Sequence, residues 1–338
     1  MQRLREIDIL RGFAIFIMVI ANYSPYFTDN PPVFLRLVYT FAAPLFISIT
    51  GFMMIKNKTE KNYNHSYFLS RGISIITIGC LIDLLIYRIY PFFSFDVLYL
   101  IGACTLIFPI LFNFWNKLKL WSIIIIFLLT ILIQLKFSYD PNFIEYSVFT
   151  NQEINFLLIF NKVFLDGFFP IFPWSGIFML GFALYEEKYK TMITKNIHFL
   201  TILFLVFSFL LVNSPKYIRE GYAELFYPPD YLFILWAIAL IFLSFSLIHK
   251  INNFLFLDPF FKYLELIGKS SLFFYIFHLA AAEYIFSKMI ETKILEKNFI
   301  GLLISYISTL IVMLVIGLIF EKLKKNKLPK IVKFFIGS

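Results

Sequence analysis

The stretch that decides the fold is Ile7-Asp8-Ile9-Leu10-Arg11-Gly12-Phe13-Ala14-Ile15, which carries two charges into the first membrane-length apolar run of the chain. Asp8 and Arg11 lie three residues apart, so they share a helical face and can form an ion pair. Asn22 follows Arg11 by eleven residues, which is close to three helical turns. These polar residues therefore fall on one stripe, and such a stripe at membrane depth normally faces a protein interior or a water-filled cavity.

The composition of the 338-residue chain indicates that its solvent is a lipid bilayer. Hydrophobic residues make up 60% of the sequence and charged residues 15%, which is more apolar surface than a soluble protein of this size can bury. The net charge of +9 at pH 7 comes from lysines that cluster between apolar runs. Membrane topology accounts for that pattern, so we expect no nucleic-acid partner.

Ten apolar segments of about 17 to 23 residues are each long enough to cross the hydrocarbon core. They are predicted to be helices, because backbone polar groups in lipid must be paired within the segment. Most of the 30 Lys and Arg residues then lie on the side of the N-terminus, which predicts that both termini are cytoplasmic. The sequence thus predicts an all-α, polytopic integral membrane protein, with one domain over 1–338 and a basic cytoplasmic tail over 321–338. The predicted spans are 10–28, 33–55, 70–88, 96–114, 119–136, 168–186, 197–213, 229–249, 270–287 and 298–320.

His278 is the strongest single candidate for chemistry. It lies near the middle of the ninth predicted span, where Ser271, Tyr275, His278 and Ala282 recur at steps of four, three and four residues and so share one helical face. A neutral imidazole at that depth can act as a general base at physiological pH. The alternative is a structural histidine that is hydrogen-bonded between two helices.

Charged residues mark both ends of the third predicted span. Asp83 lies inside the span and Arg88 ends it. An isolated carboxylate is costly at that depth, so an Asp83–Arg88 pair that fixes the bundle is one interpretation, and a role in substrate binding is the other. Arg71 stands at the opposite, cytoplasmic entrance. With Arg11 it would form a basic mouth for phosphates, and an ordinary topology charge is the alternative.

Two further candidates lie at the ends of spans. Asp29 follows the first helix in an outer loop, where it would orient a base or bind a sugar hydroxyl, or else be only a turn residue before the prolines. Trp174 opens the sixth span beside small residues, which suits close packing, and Trp is common at membrane interfaces. No two histidines have the spacing of metal ligands, so we expect no metal site.

Several of these residues stand in motifs that resemble the transmembrane acyltransferase superfamily, in particular the branch that contains heparan-alpha-glucosaminide N-acetyltransferase and its prokaryotic relatives. The motifs follow one another in the order expected for that superfamily. They are Asp8…Arg11-Gly12 with Asn22-Tyr23, Ala43-Pro44-Leu45-Phe46, Ser70-Arg71-Gly72, Phe172-Pro173-Trp174-Ser175-Gly176, and Leu266-Ile267-Gly268 with Tyr275 and His278.

The resemblance implies transfer of an acetyl or other acyl group from cytoplasmic acetyl-CoA (acyl-CoA). The acceptor would be a hydroxyl or amine of a carbohydrate or glycolipid on the far side of the membrane, here a prokaryotic plasma membrane. It leaves assembly into a homo-oligomer open. The residues that would bind the donor are Arg11, Arg71 and Asp8, and those assigned to substrate binding are Trp174, Tyr275, Asp83 and Arg88.

The chain departs from the glucosaminide branch at the catalytic base. Those relatives resemble the chain at Asn22 but carry a histidine in the outer loop that follows, where this chain has Asp29-Asn30. We therefore assign the base to His278, aided by Asp29 or Asn22, with Asn22 as donor to the developing oxyanion. Two other functions stay open: a transporter or flippase for a sugar- or lipid-linked solute, and a catalytically inactive relative that binds a lipid or sugar.

Overall fold

The computed structural model describes residues 4–136, 156–214, 223–226, 229–251, 254–325 and 329–337. Within these ranges the chain is helical and has no β-sheet, so the all-α fold is confirmed. The α-helices are α1 (Arg5–Phe27), α2 (Val33–Tyr39), α3 (Ala42–Lys61), α4 (His65–Ile82), α5 (Val97–Leu106), α6 (Phe108–Leu118), α7 (Leu120–Lys136), α8 (Phe156–Asn161), α9 (Ile171–Tyr185), α10 (Glu187–Lys195), α11 (Ile197–Val212), α12 (Tyr231–Ile251), α13 (Asp258–Gly268), α14 (Ser271–Ala281), α15 (Ser287–Glu291), α16 (Phe299–Leu323) and α17 (Lys330–Ile336).

Short π-helical turns extend some of these helices. They lie at Asp83–Tyr87 after α4, at Lys162–Asp166 after α8, and at Ala282–Phe286 between α14 and α15. Turns of this kind are rare in proteins and occur frequently at functional sites. The first begins at Asp83 and the third includes Glu283, so each contains an acidic residue within an otherwise apolar helical stretch.

The ten membrane spans that the sequence predicts are not all seen as separate long helices in the described part of the chain. In the described ranges, six helical stretches are long and apolar enough to cross a membrane, or eight if each of two bent pairs counts as one span. The six are Arg5–Phe27, Val33–Lys61, His65–Tyr87, Tyr231–Ile251, Ser271–Glu291 and Phe299–Leu323. The count of ten is not confirmed, and the cytoplasmic placement of both termini stays a prediction.

Bends and short helices explain the difference. The predicted span 96–114 is α5 and α6 with a bend of 68° between them. The predicted span 197–213 is α11 alone, and it meets α10 at 77° just before residue 197. The helices α7 and α9 contain 17 and 15 residues, or about 22 to 26 Å, which is shorter than the hydrocarbon core. Hydropathy shows that a segment is apolar but does not show where its helix bends. Here Pro109, in the first turn of α6, lacks the N–H that would continue α5.

The chain forms two compact units. The first comprises Met1–Phe46, Glu220–Leu225 and Leu243–Ser338, and the second comprises Ile47–Arg219 and Phe226–Phe242. These are regions of dense packing within one chain, and the single domain expected over 1–338 stays a prediction.

In the first unit, α1 is the central helix and packs against α13, α14 and α16. Its crossing with α13 is especially close: a Cβ atom on Gly12 would collide with the backbone carbonyl of Leu264, and one on Gly268 with that of Asp8. Glycine permits this approach of two helix backbones within a membrane. The crossing therefore fixes α13 directly beside the Asp8–Arg11 turn.

In the second unit, α4 packs along α5, and α9 packs against α7. The α4–α5 contact also depends on glycine, since a Cβ atom on Gly72 would lie 2.9 Å from the carbonyl oxygen of Gly102. This packing holds Arg71, beside Gly72, and Asp83, at the far end of α4, in fixed positions along one helix.

We expect Gly268→Ala to destabilise the protein. The new methyl group would meet the Asp8 backbone, which has no rotamer to move aside, and overpacking typically costs about 1–3 kcal/mol. Gly79→Ala is the matched control, because its methyl group would meet only the Tyr99 ring at 3.4 Å and Ala favours helix. The measurement is the thermal unfolding temperature in detergent. Equal temperatures for the two variants would contradict the close crossing.

Candidate active site

Ion pairs join the N-terminal end of α1 to α13. The Arg5 guanidinium pairs with Asp258 and with Glu265. The pKa of the Asp258 carboxyl is held below its ordinary value by hydrogen bonds from Lys262 and then Arg5. Lys269 extends the network, with its Nζ atom 2.5 Å from Glu265 Oε1. This end of the first unit is therefore a network of compensated charges.

The predicted pair between Asp8 and Arg11 is confirmed. Arg11 Nη1 lies 3.3 Å from Asp8 Oδ1 and 3.5 Å from the carbonyl oxygen of Gly268. The Asp8 side chain is buried, and a buried carboxylate needs such a partner. Arg11 thus supports the α1–α13 crossing, and its binding of phosphate stays a prediction.

Asn22 and His278, two candidates from spans far apart in the sequence, meet in the structure. Asn22 Nδ2 lies 2.9 Å from His278 Nε2, and His278 Nδ1 lies 2.9 Å from the carbonyl oxygen of Phe274. Because a carbonyl oxygen only accepts, Nδ1 carries the proton and Nε2 accepts from the Asn22 amide. The imidazole is fully buried and, in this tautomer, neutral. Its lone pair points towards α1.

Aromatic side chains hold this pair in place. The Tyr23 hydroxyl lies 2.9 Å from Thr309 Oγ1 and 3.3 Å from the carbonyl oxygen of His278, and so links α1, α14 and α16. The Tyr275 ring meets the imidazole edge-on, with centroids 5.5 Å apart. The structure therefore brings together three of the predicted site residues, Asn22, Tyr275 and His278.

Two more polar contacts follow towards the C-terminal end of α1. The Tyr26 hydroxyl donates to Glu283 Oε2 at 2.9 Å. Beyond it, Asp29 forms an ion pair with Lys297 at 2.8 Å, with 79% of the Asp29 side chain exposed. Asp29 is thus a surface residue of the described structure, and its proposed role beside the base stays a prediction. Sequence reasoning missed Glu283. The signal that could have found it is its spacing: Glu283 lies about one helical turn after His278, as Tyr26 lies one turn after Asn22.

In the second unit, hydroxyl groups surround the carboxylate of Asp83. Ser94 Oγ donates to both carboxylate oxygens, at 3.0 and 3.2 Å, and Tyr99 OH donates at 2.6 Å. Arg88 is exposed and adopts a left-handed backbone conformation with φ of 57°. Among the described residues, the expected Asp83–Arg88 ion pair is not found. The chain reverses at Arg88, and this reversal brings Ser94 to the carboxylate instead.

Trp174, also in the second unit, is fully buried among phenylalanine rings. Its centroid lies 4.9 Å from that of Phe169, 5.2 Å from that of Phe226 and 5.3 Å from that of Phe233. Within the described part of the chain, the indole Nε1 has no hydrogen-bond acceptor. Arg71 belongs to the same unit, half-buried in the second turn of α4.

Comparison with known protein families identifies the family of this chain. The model of the catalytic domain of heparan-alpha-glucosaminide N-acetyltransferase matches residues 3–214, well over half of the chain. The chain belongs to this family. Membership in the N-acetyltransferase family supports acetyltransferase activity in general terms, and the long apolar helices agree with a multi-pass membrane protein. No curated protein matches the chain significantly.

The matched region contains most of the predicted site and omits one part of it. Asp8, Arg11 and Asn22 lie within the region that matches the N-acetyltransferase family, whereas His278 and Glu283 lie beyond its end. The partner of Asn22 on α14 is therefore identified by the geometry of this chain and not by the family match.

We expect Tyr99→Phe to lower stability by about 1–3 kcal/mol, because it removes one hydrogen-bond donor to the buried Asp83 carboxyl group while the ring at position 99 keeps its shape. Tyr63→Phe is a suitable control, since no hydrogen bond of the Tyr63 hydroxyl is seen in the described residues. Chemical denaturation in detergent measures the difference. A Tyr99→Phe protein as stable as the control would show that the hydroxyl cluster contributes nothing to the fold.

Proposed function

We propose that the protein is a membrane-embedded acyltransferase that transfers an acetyl group from acetyl-CoA to a hydroxyl or amine of a carbohydrate acceptor. The observation that carries the proposal is the 2.9 Å contact between Asn22 Nδ2 and His278 Nε2, in a chain of an N-acetyltransferase family. It joins a base and an amide donor, the two groups that direct acyl transfer requires.

In the proposed reaction, His278 Nε2 takes the proton of the acceptor hydroxyl or amine. The oxygen or nitrogen then attacks the thioester carbonyl, the carbon–sulfur bond breaks, and CoA leaves as a thiolate that is protonated in turn. The Phe274 carbonyl, 2.9 Å from Nδ1, keeps the proton on the remote nitrogen and so keeps Nε2 basic.

The Asn22 side chain has two successive roles in this scheme. In the structure its amide occupies the lone pair of His278 Nε2, so the acceptor must displace it before proton transfer. Rotation of the Asn22 side chain would release Nε2 and direct the amide at the thioester oxygen. There it would stabilise the negative charge that develops during attack, an effect worth several kcal/mol in comparable sites.

The remaining predicted residues would bind the two substrates. Arg11, oriented by Asp8, would hold the donor's phosphates, since guanidinium groups bind phosphate bidentately. Arg71, in the second unit, is assigned to the donor on the sequence alone. The acceptor would lie against Tyr275, which packs on the imidazole. Residues assigned to substrate on the sequence alone are Trp174, Asp83 and Arg88, and Asp29 would act at the surface near Lys297.

The first test is CoA release by the purified protein supplied with acetyl-CoA and glucosamine. We expect His278→Ala to lower kcat by about 10²- to 10⁴-fold, the usual contribution of a general base. Asn22→Ala should also lower kcat, by loss of the oxyanion donor. His198→Ala is the matched control because His198 is exposed on α11. Full activity of His278→Ala would exclude it as the base.

The unpartnered indole of Trp174 gives a second test. We expect Trp174→Phe to lower stability by only about 1–2 kcal/mol, from the cavity that the smaller ring leaves, because the N–H that it removes has no acceptor among the described residues. If a substrate oxygen accepts from Nε1, the KM for acceptor or donor will rise. Unchanged KM values for both substrates would remove Trp174 from the binding residues.

One observation favours a transporter as the second candidate function. The bent pairs α5–α6 and α10–α11 are the kind of interrupted helix that lines substrate paths in secondary transporters. A transporter would move solute across proteoliposomes without release of CoA. An inactive relative would instead bind acetyl-CoA in calorimetry but release no CoA, whichever acceptor is supplied.

A further inference from the structure

A second polar pair lies next to Asn22 and His278, on the same two helical stretches. Tyr26 is four residues after Asn22 on α1, and Glu283 is five residues after His278 in the π-helical turn. The Tyr26 hydroxyl donates to Glu283 Oε2 at 2.9 Å. Both pairs therefore bridge α1 and the α14–π-turn segment, about 6 Å apart along α1 at a rise of 1.5 Å per residue.

The two pairs differ in burial. His278 is fully buried, whereas Tyr26 and Glu283 are only half-buried. Glu283 is therefore more accessible from outside the protein than the imidazole is.

The carboxylate of Glu283 has capacity for a ligand. An ionised carboxylate has about four acceptor positions, and in the described residues one hydrogen bond to it is seen, from Tyr26. No Lys, Arg or His of the described chain forms an ion pair with Glu283. Asp29, three residues after Tyr26, is by contrast paired with Lys297. A half-buried carboxylate on which no such cation is seen suits a ligand that donates hydrogen bonds or carries an ammonium group.

We propose that Glu283, positioned by Tyr26, binds the hydroxyl or ammonium group of the acceptor next to the Asn22–His278 pair. This inference rests on the proposed function and extends it, because it assigns the acceptor to the C-terminal end of α1 and gives its chemical class. The acceptor is a small polar molecule with adjacent N–H or O–H donors. One of these donors binds Glu283, and its neighbour is the nucleophile that meets His278.

The experiment measures steady-state kinetics of the full-length protein in nanodiscs, with acetyl-CoA and either glucosamine or methyl glucoside as acceptor. We expect Glu283→Gln to raise the KM for acceptor by about ten- to a hundredfold, as for loss of a hydrogen bond to a charged group, with kcat and the KM for acetyl-CoA little changed. Glu283→Asp should restore part of the affinity, and Tyr26→Phe should have a smaller effect. A larger effect with glucosamine than with methyl glucoside would identify the ammonium as the bound group.

Glu291→Gln is the matched control, since Glu291 is an exposed carboxylate at the end of α15. Equal acceptor KM values for Glu283→Gln and Glu291→Gln would overturn the inference while the acyltransferase stands. A parallel loss of kcat with both KM values altered would also overturn it, as a sign of structural damage.

A binding measurement separates the inference from the reaction. We expect glucosamine to raise the thermal unfolding temperature of the wild-type protein in a saturable way, and expect Glu283→Gln to abolish that rise. If this holds but no acceptor supports CoA release, the proposed function fails and the acceptor site remains. If the rise persists in Glu283→Gln, the site is wrong.

Discussion

A polar side chain inside a bilayer must find its partner within the protein, and this constraint organises the first unit around α1. Arg11 pairs with Asp8 and reaches the Gly268 carbonyl. About 16 Å further along α1, Asn22 binds His278, and beyond it Tyr26 binds Glu283. Each contact ties α1 to another helix or stabilises a crossing, so the same side chains that hold the bundle also form the candidate site. Stability and chemistry therefore share residues here.

The sequence was enough to predict the polar stripe on α1, but not which residues of other helices contact it. Helical spacing placed Asp8, Arg11 and Asn22 on one face, and the structure confirms the ion pair. The contact of Asn22 with His278 could not be derived, because periodicity describes one helix at a time and the helices meet only through tertiary packing. Glu283 was missed for the same reason: its significance comes from Tyr26, which lies 257 residues away in the chain.

Helix bends and backbone reversals account for the predictions that differ from the structure. Hydropathy detects a continuous apolar segment at 96–114, but the helix changes direction by 68° within it. The expected partner of Asp83 was the charge nearest in sequence, Arg88. The backbone instead reverses there, and hydroxyls of Ser94 and Tyr99 reach the carboxylate. Composition decides whether a segment is apolar, whereas bends and reversals decide which side chains meet.

The central claim is that the Asn22–His278 pair is the site of acyl transfer. Its most direct test is a cryo-electron microscopy structure of the protein with acetyl-CoA and a non-nucleophilic acceptor analogue. We predict the thioester carbon within about 4 Å of the acceptor atom that meets His278 Nε2, near attack distance, with the Asn22 amide turned to the thioester oxygen. A thioester bound elsewhere, with the Asn22–His278 hydrogen bond intact, would contradict the claim.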